Sequence, residues 1–204
     1  TTVSMTADRN VSAVFALNEY VLTLSAGSGG SVIGDGNYTH GTNASITANP
    51  SSNYHFVSWS GDGVADVNSA STTVTMDQNR SAAASFAIDE HTLTVNTETG
   101  GTVSGDGNFS YGTDANVTAT PEVGYHFVTW TGSGTADSSS ATTTVSMTED
   151  RTLTANFEVG TYTLTVASNP TVGGDAIGGG SFSHGDSASI VAPPATGYVF
   201  SSWN

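Results

Sequence analysis

The side chains best equipped for chemistry are three tryptophans, five histidines and a set of aspartates in glycine-rich segments. Exposed, Trp59, Trp130 and Trp203 would make a platform for stacking on sugar rings. Packed inward, the same indoles would each anchor a small core, which large aromatics tend to dominate. Asp35, Asp62 and Asp66 are the carboxylates to weigh for calcium, a cation that takes clustered oxygen ligands. The histidines, His40, His55, His91, His126 and His184, invite a zinc reading. Asn-x-Ser/Thr sequons stand at Asn10, Asn37, Asn43, Asn79, Asn108 and Asn116. Asn37 and Asn108 fall in matching Gly-Asp-Gly-Asn turns, where a glycan would be accessible. Ser, His and Asp are plentiful, but no nucleophile-elbow motif singles out a catalytic trio.

What positions these residues is a repeat, and the repeat decides among the chemistries. Tyr20-Val-Leu-Thr-Leu returns as His91-Thr-Leu-Thr-Val and Tyr162-Thr-Leu-Thr-Val, at steps of 71 residues. Met5, Met76 and Met147 keep that step, as do Arg9, Arg80 and Arg151, and Phe15, Phe86 and Phe157. Trp203 arrives two residues late, after an insertion within residues 167–172. A side chain needed for the chemistry of a unit should recur in every copy. Asp62 instead aligns with Ser133, and Gly179 takes the slot of Asp35 and Asp106. His40 aligns with Tyr111, and His55 and His126 with Val199, exchanges that no metal ligand survives. The tryptophans do recur, together with Phe56, Phe127, Phe86 and Phe157, as expected of core anchors.

The units read as residues 1–19 (closing strands of a preceding copy), 20–90 and 91–161 (complete copies) and 162–204 (the first part of another). Short alternating runs of Val, Ile, Thr and aromatics separated by glycine-rich turns predict half-buried strands throughout. Tyr20, Leu22 and Leu24 share one face of the first strand, and the Gly34–Asn37 stretch reads as a tight turn. The inward set of one unit is Leu22, Leu24, Val32, Ile46, Ala48, Phe56, Trp59, Val74, Met76, Ala84 and Phe86. Tyr54 and Phe56 share parity while Trp59 does not, so burying all three calls for a bulge near Ser58. The polar segments 61–71 and 132–142 differ between copies and read as loops. Helical periodicity is absent apart from a short turn around Asp77–Arg80.

Three arginines, no lysine and 18 acidic residues give a net charge of −15. That balance opposes binding to nucleic-acid backbones, which needs clustered cations. Without cysteine there are neither disulfides nor thiolate metal sites. No apolar run approaches the ~20 residues of a membrane span, so direct membrane insertion is not expected.

The order Tyr-x-Leu-Thr-Val, Gly-Gly-x-Val, Tyr/His-Gly-Thr, Ala-x-Pro, Gly-Tyr-x-Phe-x-x-Trp-x-Gly, Thr-Val-x-Met and Thr-Ala-x-Phe resembles the divergent internalin-type B-repeat. Its key stretch here is Gly124-Tyr-His-Phe-Val-Thr-Trp130-Thr-Gly132, and the likeness spans the whole chain. The resemblance implies a β-grasp-like fold with a helix or helical turn, tandem placement in secreted or cell-surface bacterial proteins, and no catalytic residues. The expected fold is therefore mainly β, a tandem array of small modules of β-grasp-like kind. The expected function is a spacer, stalk or fibre-forming segment of an extracellular, adhesin-like protein, without cofactor and not an enzyme. Its partners would be neighbouring repeats of a longer array on which these residues are a window, or, as the alternative, copies of itself, residues 1–19 of one molecule completing 162–204 of the next. The competing expectation is a module binding an extracellular glycan or protein through its aromatics or the loops 61–71 and 132–142.

Overall fold

A computed structural model of the chain describes residues 1–204. It divides into two compact units, Thr1–Asp89 and Glu90–Asn204. In the first unit β1 (Glu19–Ala26), β2 (Gly30–Ile33), β3 (Gly36–Thr39), β4 (Thr42–Pro50), β5 (Tyr54–Ser60), β6 (Ser71–Met76) and β7 (Arg80–Ile88) build one module. They form two sheets, ordered β3-β1-β7-β5 and β2-β4-β6. All the ladders are antiparallel except one. The first and last strands, β1 and β7, lie side by side in parallel, from Leu22 opposite Arg80 to Ala26 opposite Ala84.

Alternation along the strands turns one face of each sheet inward. Leu22, Ala44, Ile46, Ala48, Trp59, Val74, Met76, Ala82 and Ala84 form the buried cluster, edged by Tyr20, Leu24, Val32, Tyr38, Phe56, Val64 and Phe86. The alanines have a packing reason: Ala84 lies directly opposite Trp59 across the β5–β7 ladder, and a small side chain leaves room for the indole. The β5–β7 register shifts between Phe56 and Ser58, so Val57 is the extra residue of a bulge. It points outward at 48% exposure. The bulge changes the parity of the strand and lets Phe56 and Trp59 share the core, their rings 6.0 Å apart.

Glycine appears where an aromatic ring needs bare backbone. A Cβ at Gly30 would collide with the Phe86 ring, and one at Gly29 with Tyr54. The turn at Gly34–Asn37 is not a hairpin. β2 pairs with β4 and β3 with β1, so the turn carries the chain from one sheet to the other. Gly34 makes the corner at φ +112°, where a Cβ would strike the Ser45 carbonyl.

The second unit repeats this plan with β8 (Glu90–Thr97), β9 (Gly101–Ser104), β10 (Gly107–Ser110), β11 (Thr113–Pro121), β12 (Tyr125–Gly132), β13 (Thr142–Met147) and β14 (Arg151–Val159). Its sheets run β10-β8-β14-β12 and β13-β11-β9, again with a parallel pair, β8 and β14. There is no α-helix. The face that a helix would cover in a β-grasp fold is closed by the three-stranded sheet, and each module is a small two-sheet sandwich.

The flanking segments differ from the complete modules. Residues 1–18 form no strand. The equivalents of β1 and β5, between which a closing strand would lie, have no counterpart ahead of them in this chain. Beyond residue 160 only β15 (Thr161–Leu164), a 3₁₀ turn at Thr171–Gly173 and β16 (Gly180–Ser183) are regular. Trp203 is accordingly not a core residue here. It is 42% exposed and packs on Phe200 at 5.5 Å.

Replacing Trp130 by Ala should cost roughly 3–5 kcal/mol of module stability in urea unfolding, the usual range for a fully buried large aromatic. Thr152→Ala, on the outer face of β14, should stay within about 0.5 kcal/mol.

Candidate functional site

Trp59 and Trp130 are each 3% exposed, so neither indole offers a face to a sugar. What seals them is the segment that differs between the copies. Residues 61–71 fold back along β6: Val64 bridges Val74, Ala65 N–H donates to the Thr73 carbonyl and Thr75 N–H to Gly63. Trp59 N–H itself donates to the Val67 carbonyl at 2.8 Å. In the second module Thr135, Ala136, Ser146 and Trp130 make the matching bonds, the last to Ser138 at 2.8 Å. The Trp130 indole N–H also reaches the Ser140 carbonyl at 3.0 Å. The side chains of this loop vary, while its backbone bonds do not. It is a plug over the tryptophan.

Each plug packs on the single cation of its module. Gly134 stacks on the Arg151 guanidinium, where a Cβ would lie 2.6 Å from the central carbon; Gly63 lies on Arg80 in the same way. Arg151 donates to the Ser146 carbonyl at 2.7 Å, to Ser133 Oγ at 2.8 Å and to Thr148 Oγ1 at 3.1 Å. Arg80 pairs with Asp77 at 2.7 Å. With only 13% and 10% of these side chains exposed, Arg80 and Arg151 act inside the fold and offer little to an outside anion.

Asp66 and Asp137 organise the plug rather than gather around an ion. Asn68 N–H donates to Asp66 Oδ1 at 2.9 Å, and Ser139 donates through both its hydroxyl and its N–H to Asp137 Oδ1. The Ser139 hydroxyl, followed by its N–H, holds the Asp137 carboxyl below its ordinary range. Asp35, Asp62 and Asp66 do not converge, and no three His, Asp or Glu side chains meet in an arrangement able to hold a metal ion. Asn37 and Asn108 lie exposed on the edge strands β3 and β10, within reach of a modifying enzyme. Ser181 holds the matching place on β16.

The histidines take part in packing. His40 lies edge-on to Tyr20 with ring centroids 5.9 Å apart; the matching pairs are His91 with Tyr111 and Tyr162 with His184, both at 6.0 Å. Each copy thus keeps one Tyr and one His, with their order exchanged in the middle copy. That exchange was visible in the sequence as paired substitutions twenty or so positions apart. Read singly, each position showed only that His could be replaced.

The joint after the second module is built from one glycine. Gly160 alone separates β14 from β15. Its N–H donates to the Gly124 carbonyl at 2.7 Å and its carbonyl accepts from His184 N–H at 2.8 Å. Gly124 has φ +86°, and a Cβ there would run into the His184 ring. The first unit carries the same two bonds at equivalent places: Asp89 N–H to the Asn53 carbonyl, and His40 N–H to Asn18, both at 2.8 Å. Asn53 takes the left-handed conformation that Gly124 takes, with φ 63°. His55 Nδ1 adds a 2.9 Å contact to Asp89 Oδ1.

Each sandwich, with its buried Trp, its plug packed on Arg and the single residue after its last strand, is one copy of a repeated module. A family profile, the divergent InlB B-repeat domain, matches residues 20–90, 91–161 and 164–204, and the chain belongs to that family. Such modules are typically structural and occur in surface or secreted proteins. No helix of the chain is long and apolar enough to cross a membrane. No curated protein and no solved structure matches the chain significantly.

In a Trp203→Phe variant the remaining tryptophan emission should be blue-shifted, and neither acrylamide nor oligosaccharides should quench it. The depressed Asp137 carboxyl gives a sign for acid: its contribution is complete above the ordinary aspartate range and fades as pH falls through the lowered value. Acidification into that range should loosen 132–142 before the strands melt, read from the NMR shifts of Ser139. Asp137→Ala should loosen the same segment at neutral pH.

Proposed function

We propose that this chain is a spacer segment of an extracellular, adhesin-like or fibrous protein, in which folded modules in tandem hold other parts at a distance. The observation that carries the reading is the joint at Gly160, where both backbone polar groups of the only connecting residue are already bonded to the modules on either side. A flexible tether leaves its backbone to water and samples many conformations. A single residue with both its N–H and C=O engaged has little freedom left to sample. The side chain of His184 seated on bare Gly124 adds a steric stop.

Composition supports the same reading. The net charge of −15 favours solubility and discourages collapse of neighbouring modules onto each other. The absence of lysine and cysteine leaves core packing and sheet hydrogen bonds as the means of cohesion. The partners best supported are neighbouring repeats, before and after, since the backbone groups at each end of a module are arranged to receive them. Stacking of a sugar on Trp59 or Trp130 has lost its support, because those two indoles are sealed.

Backbone ¹⁵N relaxation of the full chain tests the joint. Gly160 and His184 should show order parameters near the ~0.85 of rigid backbone. Values below about 0.6 at both positions would replace the spacer with a bead string on a loose cord. Gly124→Val, which places a branched side chain against His184 at positive φ, should lower both values while leaving the core of residues 91–159 folded.

A further inference from the structure

We propose that each complete module is a load-bearing clamp, in which the parallel ladder between its first and last strands carries tension in shear. The inference rests on the spacer reading, since only an array that is pulled has a use for it. The chain enters a module at the start of β1 and leaves at the end of β7. Because these strands are adjacent and parallel, tension drags β1 one way and β7 the other along their common axis. Five consecutive register pairs, Leu22–Arg80 to Ala26–Ala84, are then loaded together. Five more, Leu93–Arg151 to Thr97–Ala155, do the same in the second module. Rungs loaded together must fail together, whereas rungs loaded from an open end fail one after another.

Further contacts lengthen the clamp beyond its strand pairs. At one end Gly27 N–H donates to the Ala84 carbonyl at 2.8 Å, and Glu98 N–H to Ala155 at 3.1 Å. At the other, Val21 N–H donates to Asn79 Oδ1 and Thr92 N–H to Asp150 Oδ1, both at 2.9 Å. The residue before the closing strand differs between the two modules. Both residues supply the same side-chain acceptor at the same place, and add a rung where the backbone has none.

The free edges of the two strands are also engaged. The part of β1 below the clamp, Glu19–Leu22, pairs with β3. The part of β7 beyond it pairs with β5 as far as Ile88. Slippage must therefore tear β1 from β7 while each is held on its other side. In the core, Leu22, Ala82 and Ala84 from the two clamp strands are buried, so sliding also exposes apolar surface.

Single-molecule pulling of the 204-residue chain by its ends tests this. Two discrete events are expected, each lengthening the chain by close to 71 residues at roughly 3.5 Å per residue, less the folded span. Forced unfolding reports the unfolding rate, so direction of load should matter even though stability is unchanged. The chain has no native cysteine, so thiols at Ser60→Cys and Ala83→Cys provide unique handles. These positions face each other at the end of the β5–β7 ladder, and load applied there opens the ladder from its end. That geometry should yield at a force at least about twofold lower. Asp150→Ala should lower only one of the two end-pulled events, and Asn79→Ala only the other. Smooth extension without steps, or equal force in the two geometries, would overturn the clamp. Either result would leave the joint at Gly160 standing, because its mobility is read separately by relaxation.

Discussion

Hydrogen bonding between the first and the last strand of a module is the contact on which the rest depends. Closing it brings together residues nearly sixty positions apart, such as Leu22 and Arg80. Loop closure over that span carries an entropic cost that grows slowly with length, about 0.6 kcal/mol per doubling. It is offset only when the intervening strands have also found their places. Once the ladder forms, β3 and β5 can flank it, the three-stranded sheet has a face to cover, and Trp59 has a floor of alanine beneath it. In residues 162–204 β15 pairs only with β16. Tyr198, Phe200 and Trp203 line an open cleft there of about 170 Å³.

A small sandwich without disulfides or lysine has few ways to hold a long connection in place. This one uses glycine and a single arginine. The plug over each Trp lies against β6 by backbone bonds, and the guanidinium beneath it fills the space that glycine leaves. Backbone bonding makes the side chains of the plug interchangeable, so Asp62 and Ser133, or Val67 and Ser138, can occupy equivalent places. Where a position makes only backbone bonds its side chain can vary, whereas Asp66 and Asp137, which organise the plug, recur.

The joint follows the same economy. An N–H and a C=O that would otherwise face water are each given a partner on a different module, which fixes direction without a dedicated linker. The Tyr–His pair beside it can be exchanged in order because the contact is one inclined ring packed on another, which either residue can supply.

The sequence by itself determined the module length, the strand character, most of the core and the bulge in the aromatic strand. These follow from spacing: a period of 71 residues, alternation along each strand, and the broken parity between Phe56 and Trp59. Alternation also placed Leu22, Ile46, Val74 and Met76 inside. It also placed Ala48 and Ala84 inside, and the structure adds Ala44 and Ala82 on the same faces of those strands. Only the tertiary structure decided which strands pair, that the outer two run parallel, that the Gly34 turn changes sheets, and that Arg80 and Arg151 lie under the plugs. Those choices depend on contacts between residues far apart in the chain, and periodicity records only where a side chain points, never which strand lies beside it.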